Sequence, residues 1–256
     1  MIHEQAIVDS SASIGDDVTI GAFSIIGPDV TIGDGTWIGP HATINGPTTI
    51  GKNNKIFQYA SVGDAPQDIR YDNEPTELII GDDNVIRESV TINRGTPHGG
   101  GVTRIGNKNF LMAYSHVAHD CQVGNENIFA NGTSLGGHVV VEDCIVFGGF
   151  ALIHQFVHVG SYAFCAMGCG TNKNIPPYMM IAGNPATPHG INKIGLQRRG
   201  FSDDSLKGIR AAYKKLYLSK LKLNDAITEL ETMTESCQEI IPLVEFIKNS
   251  ERSIVR

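Results

Sequence analysis

Between Leu111 and Phe129 the chain reads LMAYSHVAHDCQVGNENIF, which sets His116, His119 and Asp120 among apolar and amide side chains. Two histidines three residues apart could ligate zinc. Neutral imidazole is a good zinc ligand, and a catalytic zinc site needs three protein ligands with one position left open. A histidine beside an aspartate could instead be a general base whose tautomer the carboxylate fixes. Further on, Gly136–Gly137–His138, His154–Gln155 and His158 place more polar groups in a Gly/Ile/Val background. Which chemistry is available depends on where the backbone brings these groups relative to one another.

The backbone is organised by a six-residue repeat. Apolar residues, mostly aliphatic, recur at every sixth position from Ile2 through Val8, Ile14 and Ile20 to Val62, again at Ile80, Ile86 and Ile92, and again from Ile105 to Cys165. A period of six matches neither the 3.6 of a helix nor the two of a plain strand. It suits a short strand with alternate side chains inward, closed by a corner where Gly, Asn or Asp tolerates positive φ. Three strands and three corners make a triangular coil of roughly 18 residues, and successive coils stack about 4.8 Å apart. Roughly eight coils then form a prism on the order of 40 Å long. Two segments, 64–78 and 94–104, break the phase with Pro, Gly and charge, and are expected to be loops thrown out of the prism. Loops on a rigid scaffold are common carriers of function.

After residue 200 the period changes. Ser202 is placed to cap a helix with Asp203 and Asp204 in its first turn, and Leu206, Ile209, Tyr213, Leu216 and Tyr217 follow at helical spacing. Two more helices are expected near Asn224–Thr234 and Ile240–Asn249. The expected organisation is a β solenoid over residues 1–190, with a helical domain over 191–256 that covers its open end.

In such a coil, residues 18 apart lie one above the other, so His119, Gly137 and Gln155 share one edge, with His138 and His154 beside them. Three separate polar insertions thereby converge to within about 10 Å. A zinc cage has enough imidazoles in His116, His119, His138, His154 and His158, as in a carbonic anhydrase on this scaffold. The paired glycines and Gln155 suit it less. They fit a site that positions sugar hydroxyls and receives an oxyanion on a backbone N–H. In that reading His119 is the base and Asp120 its orienter, provided that "HD" sits at a corner, because strand neighbours point to opposite faces.

A formal charge of −7 without a dense Lys/Arg run argues against nucleic acid as a partner. No apolar run approaches the ~18 residues of a membrane span, and the N-terminus has no export signal. Five cysteines without a CxxC pair fit a reduced, cytoplasmic setting. A non-catalytic, ice-binding solenoid would call for flat arrays of repeated Thr and would not call for loops or stacked histidines.

The combination of hexads with RESVTINRGT, HVAHDCQVGN, GGHVVVEDC, IHQF, IPPYMMIAGNPATPHGIN and GLQRRGFS closely resembles the acyl-carrier-protein-dependent UDP-N-acetylglucosamine O-acyltransferases of lipid A synthesis, over essentially the whole chain. The resemblance implies a homotrimer of left-handed parallel β-helices with active sites between subunits. Handedness is its contribution, since parallel crossovers are otherwise overwhelmingly right-handed. It implies transfer of an (R)-3-hydroxyacyl group from acyl carrier protein to the sugar 3-hydroxyl, with no cofactor and no metal. His119 would be the general base, Asp120 its partner, and the Gly137 N–H would face the oxyanion. Asp68, Arg70, His116, His138, His154 and Gln155 would bind the sugar and acyl groups. Asn192, Arg198 and Arg199 would bind the nucleotide, and paired arginines suit a diphosphate on their own account. The chain departs from the family pattern at Arg70, Asn93, Pro185 and Ile194; Ile194 leaves open whether the acceptor is the hydroxyl sugar or its 3-amino analogue. Met167 stands where long-chain members have Gly at the floor of the acyl channel, which implies a shorter acyl chain, roughly ten to twelve carbons, by lost burial of methylenes. A later N-acyltransferase of that pathway carries an extra N-terminal uridine-binding domain, whereas here hexads begin at Ile2.

Overall fold

The computed structural model describes all 256 residues. The chain forms 27 strands, most only two residues long, and strands three apart in sequence pair in parallel. They make three sheets of nine, eight and ten strands, the faces of a triangular prism. We call these the first face (starting at Ile7–Val8), the second (Ser13–Ile14) and the third (Thr19–Ile20). Ile7 pairs with Ile25, Ile25 with Thr43 and Thr43 with Ser61, a constant step of 18 residues. Ile20, Ile26, Ile32, Ile38 and Ile44 are buried, and Val18, Ser24, Val30, Thr36 and Ala42 fill the second inward position of each hexad.

Two features differ from the simple repeat. Apart from Gly63 (φ +79°), the glycines that follow the inward aliphatics do not serve positive φ. A Cβ on Gly33 would stand 2.6 Å from the carbonyl carbon of Gly51, so the small residue permits close approach of stacked coils. The positive-φ corner position is instead held by many non-glycine residues, among them Phe23, His41, Tyr59, Tyr114, Asp120, His138 and Phe156. Ring stacking between coils offsets the strain: Phe23 on His41 (5.0 Å between centroids), His41 on Tyr59 (5.4 Å) and His138 on Phe156 (4.4 Å).

A buried asparagine ladder runs up the same interior. Asn54 Oδ1 accepts from the Asn84 backbone N–H and Nδ2, Asn84 Oδ1 from those of Asn109, and Asn109 Oδ1 from the Asn127 N–H. Each amide donates its second hydrogen to a carbonyl such as Gly106 O or Gly124 O. Polar side chains in the prism thus satisfy backbone groups that the corners leave unpaired.

Both phase-breaking segments leave the prism at one edge. The first lies between strands Ser61–Asp64 and Glu77–Ile80, the second between Thr91–Asn93 and Val102–Ile105. In each case the chain has just finished the first face and is about to start the second. His119–Asp120, between strands His116–Val117 and Gln122–Val123, is the same corner one coil later.

Helices α1 (Lys193–Arg198), α2 (Asp203–Leu218), α3 (Leu223–Met233) and α4 (Ile241–Lys248) follow. The Ser202 hydroxyl caps α2 by accepting from the Ser205 N–H. The short α1, capped by Asn192, carries too few apolar residues to show a helical period. The C-terminal segment covers the last coil, with Asn174 N–H donating to Ser253 O and Val255 N–H to Asn174 O. The two cores interlock: Tyr178 and Met179 pack with the helices, and Val255 packs in the solenoid. All five cysteines are free thiols, and no helix is long and apolar enough to cross a membrane.

Candidate active site

The corner required by the sequence argument is present. Asp120 has φ +61°, so His119 and Asp120 turn together instead of pointing to opposite faces. His119 Nδ1 lies 2.8 Å from Asp120 Oδ2, and the two side chains are 12% and 0% exposed. Since an ionised carboxylate can only accept, this contact selects the neutral tautomer with its hydrogen on Nδ1 and its lone pair on Nε2.

Asp120 is held from behind by the second excursion. The Thr96 N–H donates to Oδ1 (2.8 Å) and the Thr96 hydroxyl to Oδ2 (2.6 Å), while the Asp120 N–H donates to Thr103 Oγ1 (2.8 Å). A Cβ on Gly99 would stand 2.1 Å from the carboxylate, so the turn closes over it only with glycine there. These residues escaped the sequence reading; the only signal was the Gly/Pro-rich excursion itself.

One coil on, the His119 ring lies over Gly137, where a Cβ would meet its Cε1 at 2.6 Å and Nε2 at 2.9 Å. The glycine that the repeat stacks on His119 therefore makes room for the imidazole. The Gly137 N–H has no backbone acceptor, a property shared by the same hexad position at Asn131 and Gly149. His138 packs edge-on to His119 (5.2 Å, 88°) and stacks on Phe156, with its Nε2 3.7 Å from Asp120 Oδ2. Burial holds the His138 imidazole below its usual pKa, with Asp120 opposing. Burial does the same to His116, whose Nδ1 lies 2.7 Å from Thr91 Oγ1.

His119, Asp120 and His138 bring one donor each within 4.8 Å, close enough for a cation. The donor set fits proton transfer better. Asp120 already accepts three short hydrogen bonds, all of which an ion would have to disturb in a buried setting.

His116 and His154 line an open groove of about 540 Å³ on the first face, with Ser134, Leu152, Asn172 and Pro185. Gln155 stands exposed at the same edge, its backbone 2.7 Å from where a Cβ on Gly136 would be. Met167, 80% exposed, sits at the opposite edge of that face. His158 lies on the second face, 2.9 Å from Glu142, apart from the other imidazoles. Asp68 and Arg70, at the tip of the first excursion, form a bidentate pair with Nη2–Oδ2 at 2.8 Å and Nε–Oδ1 at 3.1 Å. The guanidinium holds the Asp68 carboxyl well below the usual range. His98 joins them, a residue the sequence reading passed over. Asn93 is buried at the root of the excursions, and its Nδ2 donates to Ala65 O.

Three of the sequence candidates are not brought to His119 within one chain. Asn192 is the α1 cap: its Oδ1 accepts from the Gly195 N–H and its Nδ2 donates to Tyr162 O. Arg199 pairs with Glu126, one full strand beyond Asp120 across the second face, roughly 20 Å away. Arg198 and Ile194 are exposed on α1 beside it.

The family model described as "Udp N-acetylglucosamine O-acyltransferase; Domain 2" matches residues 174–255, and "Bacterial transferase hexapeptide (six repeats)" matches 11–46, 29–64 and 103–137. Over its full length the chain is 53% identical to the acyl-[acyl-carrier-protein]–UDP-N-acetylglucosamine O-acyltransferase of Alkalilimnicola ehrlichii and 52% to that of Halorhodospira halophila, covering 99% of each. The crystal structure of the UDP-N-acetylglucosamine O-acyltransferase from Moraxella catarrhalis superposes with a TM-score of 0.97 at 42% identity, covering 100% of this chain and 99% of that one. The shared architecture is a left-handed parallel β-helix with a C-terminal helical region.

Proposed function

The chain belongs to the acyl-[acyl-carrier-protein]–UDP-N-acetylglucosamine O-acyltransferases, and from that premise we propose that it moves an (R)-3-hydroxyacyl group from acyl carrier protein to the 3-hydroxyl of the sugar nucleotide, as the first step of lipid A synthesis in the cytoplasm. One observation carries the assignment of roles: the His119 ring, tied through Nδ1 to a buried Asp120, lies over the Gly137 backbone.

The step follows from that geometry. His119 Nε2 takes the proton of the sugar hydroxyl as its oxygen attacks the thioester carbonyl. Asp120 stabilises the imidazolium without accepting its proton. The oxyanion of the tetrahedral intermediate is received by the Gly137 N–H. Collapse breaks the C–S bond, and the departing thiolate takes back the proton from His119. Asp68, Arg70, His116, His138, His154 and Gln155 surround the reacting groups.

The direct test is an assay of UDP-N-acetylglucosamine, and of its 3-amino analogue, against a ladder of 3-hydroxyacyl carrier-protein donors. Transfer to neither acceptor would overturn the reading. In the same assay Met167→Gly is expected to shift the preferred donor to longer chains, because each methylene newly accommodated is worth about 0.8 kcal/mol of burial. An unchanged chain-length profile would remove Met167 from the channel.

A homotrimer completes the site. Arg198, Arg199 and Asn192 lie one face away from His119 on their own chain, so a second copy has to bring them to it. One prism edge also exposes Phe23, Tyr59, Tyr114 and Phe150, an apolar stripe suited to burial between copies. Light scattering of the purified protein should give three times the 27.6 kDa chain mass. Phe150→Glu should lower that mass and the activity together; a monodisperse, active monomer would exclude this arrangement.

A further inference from the structure

The second excursion places one more group at the site. His98 sits in a short 3-10 turn (Pro97–Gly99) whose two ends are pinned to Asp120, by the Thr96 hydrogen bonds on one side and by Gly99 against the carboxylate on the other. The His98 ring position is thereby tied to the group that orients the base. On its outer side Nε2 lies 2.6 Å from Arg70 Nη2 and 3.1 Å from Asp68 Oδ2. The titratable and charged groups facing it are Asp68 and Arg70 of the first excursion and His138 of the prism edge, with ring centroids 6.5 Å apart; Asp120 lies behind the turn.

One nitrogen cannot serve both neighbours at once. A neutral imidazole with its hydrogen on Nδ1 offers a lone pair at Nε2 and accepts from Arg70. A protonated imidazole, or the other tautomer, presents N–H there. It can donate to Asp68, but it meets an Arg70 donor at a distance that two donors do not tolerate. Other ties from this tip to the body are few: Arg94 Nη2 reaches Tyr71 at 3.3 Å, and the remaining polar contacts of residues 68–74 are among themselves.

We propose that His98 is a positioning residue for the sugar nucleotide: in its neutral form it accepts from Arg70 and holds the Asp68–Arg70 pair over the His119 edge, and on protonation it releases Arg70. The proposal rests on the reading of Asp68 and Arg70 as substrate-binding residues. It assigns to His98 an effect on substrate binding and none on proton transfer, which His119 performs.

The test uses the full chain as purified, with KM for UDP-N-acetylglucosamine and kcat measured from roughly pH 5.5 to 8.5, the range over which imidazole titrates. His98→Ala is expected to raise KM about tenfold near neutral pH with little change in kcat, the effect of one lost charge-assisted hydrogen bond. His98→Gln, whose Oε1 can accept from Arg70, should restore KM near neutral pH. It should also abolish the rise in KM that is expected of the parent on the acid side. An unchanged KM in His98→Ala, a fall in kcat alone, or an acid limb retained in His98→Gln would overturn the proposal. A second readout is independent of turnover. The ¹⁵N shifts of the His98 ring should report the Nδ1–H tautomer in the neutral protein, and Arg70→Ala should alter them. The Nε2–H tautomer would overturn the proposal whatever the enzyme acts on, while absent acyl transfer with the expected tautomer would count against the functional reading alone.

Discussion

His119→Ala is expected to lower the rate of acyl transfer by about 10² to 10⁴ while leaving the fold intact, the range typical of a lost general base. The ring is only 12% exposed, but it lies at a corner outside the stacked Ile/Val core, over Gly137, and its removal empties space at the surface edge of the prism. The solenoid strands on either side, His116–Val117 and Gln122–Val123, pair through backbone groups that the substitution does not touch. KM for the nucleotide should therefore move far less than kcat. Asp120→Asn should fall in the same direction by a different route. Its amide can donate to His119 Nδ1 and so favour the tautomer with the hydrogen on Nε2, where the lone pair is needed. Near-parental turnover in purified, folded His119→Ala, checked by circular dichroism and a donor-saturated assay, would remove His119 as the base.

The second large effect concerns stability. Asn84→Leu is expected to cost on the order of 3 to 4 kcal/mol, because partners left unsatisfied in the interior lose about 1 to 3 kcal/mol each. The Asn109 N–H would lose its acceptor, Gly106 O its donor, and the Asn109 amide one of its two bonds. Asn84 is fully buried and its neighbours above and below are themselves ladder asparagines, so water cannot replace the lost groups without opening the coil. Since each coil is stabilised only by its neighbours, the damage should spread along the solenoid. Urea unfolding would measure it, and a midpoint unchanged from the parent would show that the ladder is dispensable.

Much of the fold was legible in order along the chain. Ile20, Ile26 and Ile32 carry the coil spacing, Ser202 marks the start of α2, and the breaks after Val62 and Ile92 mark the two excursions. The corner residues were less legible. A Phe or Tyr at positive φ violates local preference, and at Phe23, Tyr59 and Phe156 it is offset by a ring stacked on it from the adjacent coil, a contact between residues 18 apart. The α1 helix was hidden for a related reason, since six residues with one buried side chain leave no period to read.

The site divides in the same way. A strict repeat converts sequence distance into spatial position, so the sequence by itself determined that His119, Gly137 and Gln155 share an edge and that Asp120 can orient its neighbour. The excursions obey no repeat. That Thr96 and Gly99 close on Asp120, and that His98 reaches Asp68 and Arg70, was decided only by the tertiary structure, because irregular backbone takes its path from the contacts it makes. Arg199 shows the converse limit: adjacent to Arg198 in sequence and suited to a diphosphate, it is held by Glu126 across the second face from its own chain's His119. Coil stacking is a local rule applied many times, and it is readable from residue types. Contacts between segments that break the rule depend on the sum of packing and hydrogen bonding around them, and no spacing in the chain encodes that sum.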